Sequence, residues 1–303
     1  MTNYLSFDRE GLIKAATISA ANASRLADLY GEYFDLKVRE TGQVAESLAA
    51  SWGAPAMAGQ PYFLLASSSG TPVYIRIVQN PDMPAYVPLR SFGWNAIEIC
   101  VADVDALHAR LQASPFKIIG PPAELEFSSI IYPMQVVGPE GEVLFLNEVR
   151  DNLPNFDLPK AGAWVDHVFI MVLAAPDRQK ALEFYTQKLG WGEGDSYSLT
   201  YKVINQAFGF GTDHKTDLTM TCVDRLVNNE IDQYPDGTTE RACVIDSLAP
   251  GIAAVTYAVA SLDAIKAPFI TAPTPREGLM YEGRRTACCV GAAGELIELI
   301  EIG

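Results

Sequence analysis

The sequence predicts an α+β fold in which one strand–helix–three-strand unit is used four times, two units to a domain. Three observations predict it: four apolar, β-rich segments, a helix-start signal after each, and a closing strand that a glycine-bearing turn introduces. The opening strands read LIKAATISA (12–20), WNAIEICVA (94–102), VDHVFIMVL (165–173) and IAAVTYAVA (252–260). A length of 303 residues suits two domains of about 150 residues each.

The helices follow in the same place in every unit. Asn22 is a good N-cap for NASRLADLYGEYF in unit one, and Asp103 precedes DVDALHARLQA in unit two. Unit three has Pro176 at a first turn, then DRQKALEFYTQKLGW, closing on Gly190. Unit four has only SLDAIKAPF, because Pro268 stops the helix early. The closing strands read TPVYIRIVQNP, GPEGEVLFLNEV, RLVNNEIDQYP and GAAGELIELIEIG, with Gly141 and Gly294 where a tight turn needs glycine. RDNLPNFDLPKAGA (150–163) has prolines and no periodicity. The expected division is therefore an N-terminal domain over 1–150, a linker over 151–163 and a C-terminal domain over 164–303.

Composition narrows the function. Hydrophobic residues make up 49% of the chain and charged residues 19%, enough apolar material for buried cores. The net charge of −15 would repel a polyanion, so nucleic acid is not an expected partner. No run approaches the roughly 18 apolar residues of a membrane helix, so no membrane partner is expected. The segment MTNYLSFDREGLIKAA has charges where a signal peptide needs an apolar block. Five cysteines without a CxxC pair argue against a disulfide framework. A reduced, cytoplasmic protein is expected.

With VDHVFIMV, FYTQKLGW, GPEGEVLF and GELIELIE in these places, the chain resembles the vicinal-oxygen-chelate superfamily over about residues 11–302. That group contains glyoxalases, bleomycin-resistance proteins and extradiol dioxygenases. The resemblance implies βαβββ modules that pair into glyoxalase-like domains, each a cupped sheet that holds a metal or a ligand. It also places a metal ligand on the first strand and another on the last strand of a module. In the C-terminal pair those positions hold His167, Glu230, Ala254 and Glu298, so His167, Glu230 and Glu298 are the expected metal ligands. In the N-terminal pair they hold about Ala15, Arg76, Ala96 and Phe145, which bind no metal; Glu98 shares the face of Ala96.

The chemistry implied is metal-assisted proton transfer on a small oxygenated, aromatic-leaning molecule, of the isomerase, epimerase or lyase kind. Glu298 or Glu230 would be the base, and Zn, Mn, Fe, Co or Ni would each suit the ligand set. Tyr201, Asn205, Tyr281 and Arg285 lie on segments expected near the cup and are the candidate substrate contacts. The alternative is a metal-free protein that binds or sequesters a small molecule, with a site inherited in shape only. An inward glutamate would then need Arg284, Arg285 or water as partner, or a raised pKa. Extradiol ring cleavage is disfavoured because Ala254 stands at the second histidine position, and His108 and His214 read as surface residues. The resemblance leaves two further matters open, a homodimer and the module pairing. If unit three pairs with unit two, His167 and Glu230 face Ala96 and Phe145, and the triad splits.

Overall fold

The structure is a computed structural model and describes residues 9–126 and 128–303; residues 1–8 of the charged N-terminal segment lie outside the described residues. Unit one contains β1 (Ile13–Ala20), α1 (Ala23–Phe34), β2 (Lys37–Gln43), α2 (Glu46–Ser51), β3 (Pro61–Ala66) and β4 (Tyr74–Gln79). Unit two contains β5 (Gly93–Val101), α3 (Val104–Leu111), β6 (Lys117–Gly120), β7 (Ile131–Val137) and β8 (Val143–Val149). Unit three contains β9 (Val165–Ala175), α4 (Arg178–Glu183), β10 (Gly192–Leu199), α5 (Lys202–Phe208), β11 (Thr216–Val223) and β12 (Leu226–Gln233). Unit four contains β13 (Gly251–Val259), β14 (Thr274–Pro275), β15 (Arg285–Val290) and β16 (Leu296–Glu301), with a single 3₁₀ turn (Leu262–Ala264) where the others have a helix.

Local signals set these elements. The Asn22 side chain accepts from the Arg25 amide at 3.0 Å, and Asp103 accepts from the Ala106 amide at 2.8 Å, satisfying amides that a helix start leaves bare. In unit three the cap is Asp177, one residue after Pro176, and it accepts from the Lys180 amide at 3.1 Å. Gly141 and Gly294 turn their hairpins with φ of 85° and 79°, a region that side chains with a Cβ rarely enter. Asp103→Ala is expected to cost about 1 kcal/mol of stability in chemical denaturation, because the exposed side chain makes no other hydrogen bond or ion pair among the described residues. A loss under a few tenths would show that α3 is held by packing alone.

The four units form two eight-stranded sheets, but not in the expected pairs. Strand order is β14-β15-β16-β13-β1-β4-β3-β2 in one sheet and β10-β11-β12-β9-β5-β8-β7-β6 in the other. Units one and four therefore share one sheet, and units two and three share the other. The junctions are antiparallel pairings of opening strands, β1 with β13 and β5 with β9. The division expected at 151–163 separates chain segments that the second sheet joins.

The physical reason is visible in the opening strands, which are buried along their whole length. One face of each joins a single large core between the sheets, with α1, α3 and α4; Ile18, Ile97, Met171 and Val255 are among its members. The opposite faces line separate outward cups. A strand that is apolar on both faces carries no periodicity to say which strand lies beside it. The sheets are also tied by Trp94, whose indole donates to the Leu296 carbonyl at 2.8 Å.

Candidate functional site

The cup of units two and three contains a cavity of about 120 Å³ with mostly apolar walls. Ile131 and Pro133 of β7, Ile170 of β9, Leu199 of β10, and Leu218 and Met220 of β11 line it. Leu153, Phe156 and Leu158 line it too. They come from the segment expected to be a passive linker; Phe156 and Leu158 are buried, and the segment folds back over the cup.

Acids sit at polar points of this apolar surface. Glu98 of β5 accepts from the Asn147 side-chain amide at 2.7 Å, and Glu230 of β12 accepts from the Tyr201 hydroxyl at 2.8 Å. Burial, and then the charge of Glu230, hold Glu98 well above the usual carboxylate range. Burial likewise pushes Glu230 up to about 7, although the bond from Tyr201 pulls it down. Asp232 is fully buried, and its oxygens find no nitrogen or hydroxyl donor among the described residues. Burial, and then the charge of Glu230, hold its pKa well above normal. None of the residues lining the cavity is Lys, Arg or His.

The other cup has a different solution. Arg76 Nη2 of β4 lies 2.8 Å from Glu298 Oε2 of β16, both buried. Thr256 Oγ1 donates to Glu298 at 2.6 Å and Tyr281 Oη at 2.9 Å, while Arg76 donates to Thr17 Oγ1 at 2.9 Å and Tyr281 Oη at 2.6 Å. The guanidinium also stacks on Trp52, 4.8 Å from the ring centre. Burial alone would raise the Glu298 pKa; Arg76 and the two hydroxyls hold it below the normal value. Arg76 and Tyr281 border a cavity of about 250 Å³, with Glu298 behind them.

The structure therefore splits the expected ligand triad. Glu298 lies in the first sheet and Glu230 in the second, with His167 in the second sheet but outside the cavity lining. The reason lies in β9: Ile170 stands opposite Glu98, while Phe169 is an extra residue with no opposite number. The imidazole of His167 meets Asp166 at 3.1 Å and Cys100 at 3.7 Å instead.

The candidate substrate contacts also separate. Tyr201 lines the second cup's cavity and Tyr281 the first cup's. Asn205, on α5, donates to the His214 carbonyl at 2.9 Å and reaches neither cavity. Arg285 lies at the surface, paired with Asp263 at 2.9 Å and Glu301 at 3.3 Å. Arg284 approaches Glu282, so neither of these arginines serves an inward glutamate.

No family model matches the sequence, and no curated protein is similar to it at the level of sequence. Solved structures do match. A mutant form of glyoxalase I from Zea mays superposes with a TM-score of 0.65 at 16% identity, covering 96% of this chain and 92% of its own. Glyoxalase I from Zea mays itself gives 0.63 at 16%, covering 96% and 92%. A putative dioxygenase from Bacillus subtilis gives 0.62 at 11%, covering 97% and 86%. Both sheets are contained in each match. The fold is that of the vicinal-oxygen-chelate proteins.

A metal at the vicinal-oxygen-chelate ligand positions does not fit these residues. In the first cup they are Ala15, Arg76, Ala254 and Glu298, and the guanidinium already neutralises the one carboxylate. In the second cup Ala96 and Phe145 offer no donor and His167 points elsewhere, which leaves Glu230 with Glu98. Among the described residues, neither glutamate belongs to a group of three His, Cys, Asp or Glu donors close enough to share an ion.

Two functional residues were not picked out from the sequence: Glu98 as the companion of Glu230, and Arg76 as the partner of Glu298. A signal for the second was present. Arg76 and Glu298 hold corresponding closing-strand positions with opposite charge, and read together they select the pairing of unit one with unit four.

Proposed function

We propose that the chain binds a small, mainly apolar molecule carrying a cationic or hydrogen-bond-donating group, in the cup of units two and three, with Glu98 and Glu230 meeting that group. The observation that carries this reading is the pair of inward acids, Glu98 and Glu230, with the exposed Glu126 at the margin, on an apolar cavity whose lining contains no basic side chain. A buried carboxylate without a cation is costly, and a ligand that brings a positive charge or donors removes that cost. The space, about 120 Å³, holds on the order of ten water-sized groups. Among the functions considered from the sequence, this geometry favours small-molecule binding without a metal at the ligand positions.

Glu230 also supports a second, compatible role. A carboxyl poised at about 7 and bonded to a tyrosine suits proton transfer near neutral pH. It would act as base or acid on the bound molecule, in the manner of an isomerase or lyase, with Tyr201 holding its orientation.

Calorimetric titration with a panel of small hydrophobic amines and their carboxylate counterparts tests the binding. Amines are expected to bind and carboxylates not, with affinity rising as pH passes upward through 7 and Glu230 ionises. Glu230→Gln and Glu98→Gln should each weaken amine binding at least about tenfold, near 1.4 kcal/mol. Equal binding of both classes, or affinity unchanged in both variants, would overturn the reading. Solvent deuterium entering a bound ligand's C–H position, lost in Glu230→Gln, would establish the second role.

A further inference from the structure

We propose that Cys100, Asp166 and His167 form a binding site for a borderline-soft divalent cation of the zinc type, outside the cavity lining and independent of the reading given to that cavity. The register of β5 against β9 makes the site. Ile99 stands opposite Val168 and Val101 opposite Val165, so two residues, Asp166 and His167, share the place opposite Cys100. A bulge of this kind re-aims a side chain that strict alternation would send to the other face. It is how neighbours in sequence come to offer donors to one point.

The donor geometry fits a tetrahedral ion. His167 Nδ1 lies 3.7 Å from Cys100 Sγ and 3.1 Å from Asp166 Oδ1. Zinc bonds of about 2.0–2.1 Å to nitrogen, 2.0–2.2 Å to oxygen and 2.3 Å to sulfur imply separations of roughly 3.6 and 3.4 Å at tetrahedral angles. All three donor atoms lie within 4.8 Å of one another. Three protein ligands leave one position for water.

Without an ion, the hydrogen-bond arrangement is incomplete. A single nitrogen, which carries at most one proton, faces both the thiol and the carboxylate. The imidazole is only 5% exposed, so water does not readily complete the set. A thiolate, a carboxylate and a neutral imidazole around a divalent ion sum to zero charge, the least costly state to bury.

The carboxylate is also held in place. The Gly162 amide donates to Asp166 Oδ2 at 2.6 Å, and the Ser69 hydroxyl donates to Asp166 Oδ1. Ser69 comes from the β3–β4 loop of the other sheet, and Gly162 ends the segment whose Phe156 and Leu158 close the cavity. An ion here would therefore fasten that segment, and through it the cavity's cover.

Cobalt and zinc titrations of the chelator-treated full chain test this. One equivalent of cobalt should bind and give a thiolate-to-cobalt charge-transfer band, which zinc should abolish by displacement. Cys100→Ser should remove the band and weaken binding by at least the roughly 100-fold that marks the upper range for outer-shell changes. Cys222→Ser should leave both unchanged. Asp166→Asn serves as a second ligand variant if Cys100→Ser does not fold, and zinc should slow proteolysis within 151–163 of the unaltered chain. Absence of stoichiometric binding, or a band that persists in Cys100→Ser, would overturn the site.

Discussion

Glu298→Ala is expected to destabilise the protein by about 3–5 kcal/mol, because it strands the buried charge of Arg76. The guanidinium is 2% exposed, and its remaining partners, Thr17 and Tyr281, are neutral hydroxyls. Removing the carboxylate also leaves the Thr256 and Tyr281 hydroxyls without their acceptor, and unmade buried bonds cost about 1–3 kcal/mol each. The double variant Arg76→Met with Glu298→Leu should recover much of the loss, since an apolar pair of similar volume has no charge to strand. Denaturant unfolding of both single variants and the double variant measures this as a cycle. Additive losses would mean that the pair does not hold the junction of units one and four as described.

Stability is expected to fall as pH rises from about 5 to 9. Burial pushes Glu142 up to about 8 and Glu295 and Glu230 up to about 7. Each binds its proton more tightly folded than unfolded, so its contribution is full below the ordinary carboxylate value and is lost as pH rises through the folded value. His167 behaves in the same sense. Burial opposes its charge, but Cys100 and Asp166 lift it to about 9, so its contribution is full below 6.5 and lost through 9. Glu298 and Asp166 work in the opposite direction. Their pKa values are depressed, so their contributions hold above the ordinary value and disappear only in stronger acid. Each group in the first set changes stability by up to about 1.4 kcal/mol per pH unit inside its window. Unfolding midpoints at pH 5.5, 7 and 8.5 should therefore decline in that order. A flat or rising series would show that these acids are already solvated in the native state.

Two of those acids are also structural. Glu142 accepts from Tyr30 at 3.2 Å, and Glu295 accepts from Tyr185 at 2.8 Å. In each case a helix of one unit meets the closing hairpin of the next unit along the chain. Consecutive units thus touch across the central core while belonging to different sheets.

The sequence alone determined the repeated unit. The caps at Asn22 and Asp103 and the turns at Gly141 and Gly294 are local devices, and local chemistry was enough to find them. The truncated helix before Pro268 is another. Which units share a sheet was decided only by tertiary structure, because the opening strands are apolar on both faces and their pattern names no neighbour. That one choice separated Glu298 from Glu230, joined Glu298 to Arg76, and set Glu98 on the same cavity as Glu230. Strand register decided the rest: extra residues in β9, invisible to an alternating pattern, set His167 beside Cys100 and off the cavity lining. Side-chain type and spacing fix what each strand can offer, but the meeting of donors from distant strands depends on pairing and register, which are properties of the packed sheets.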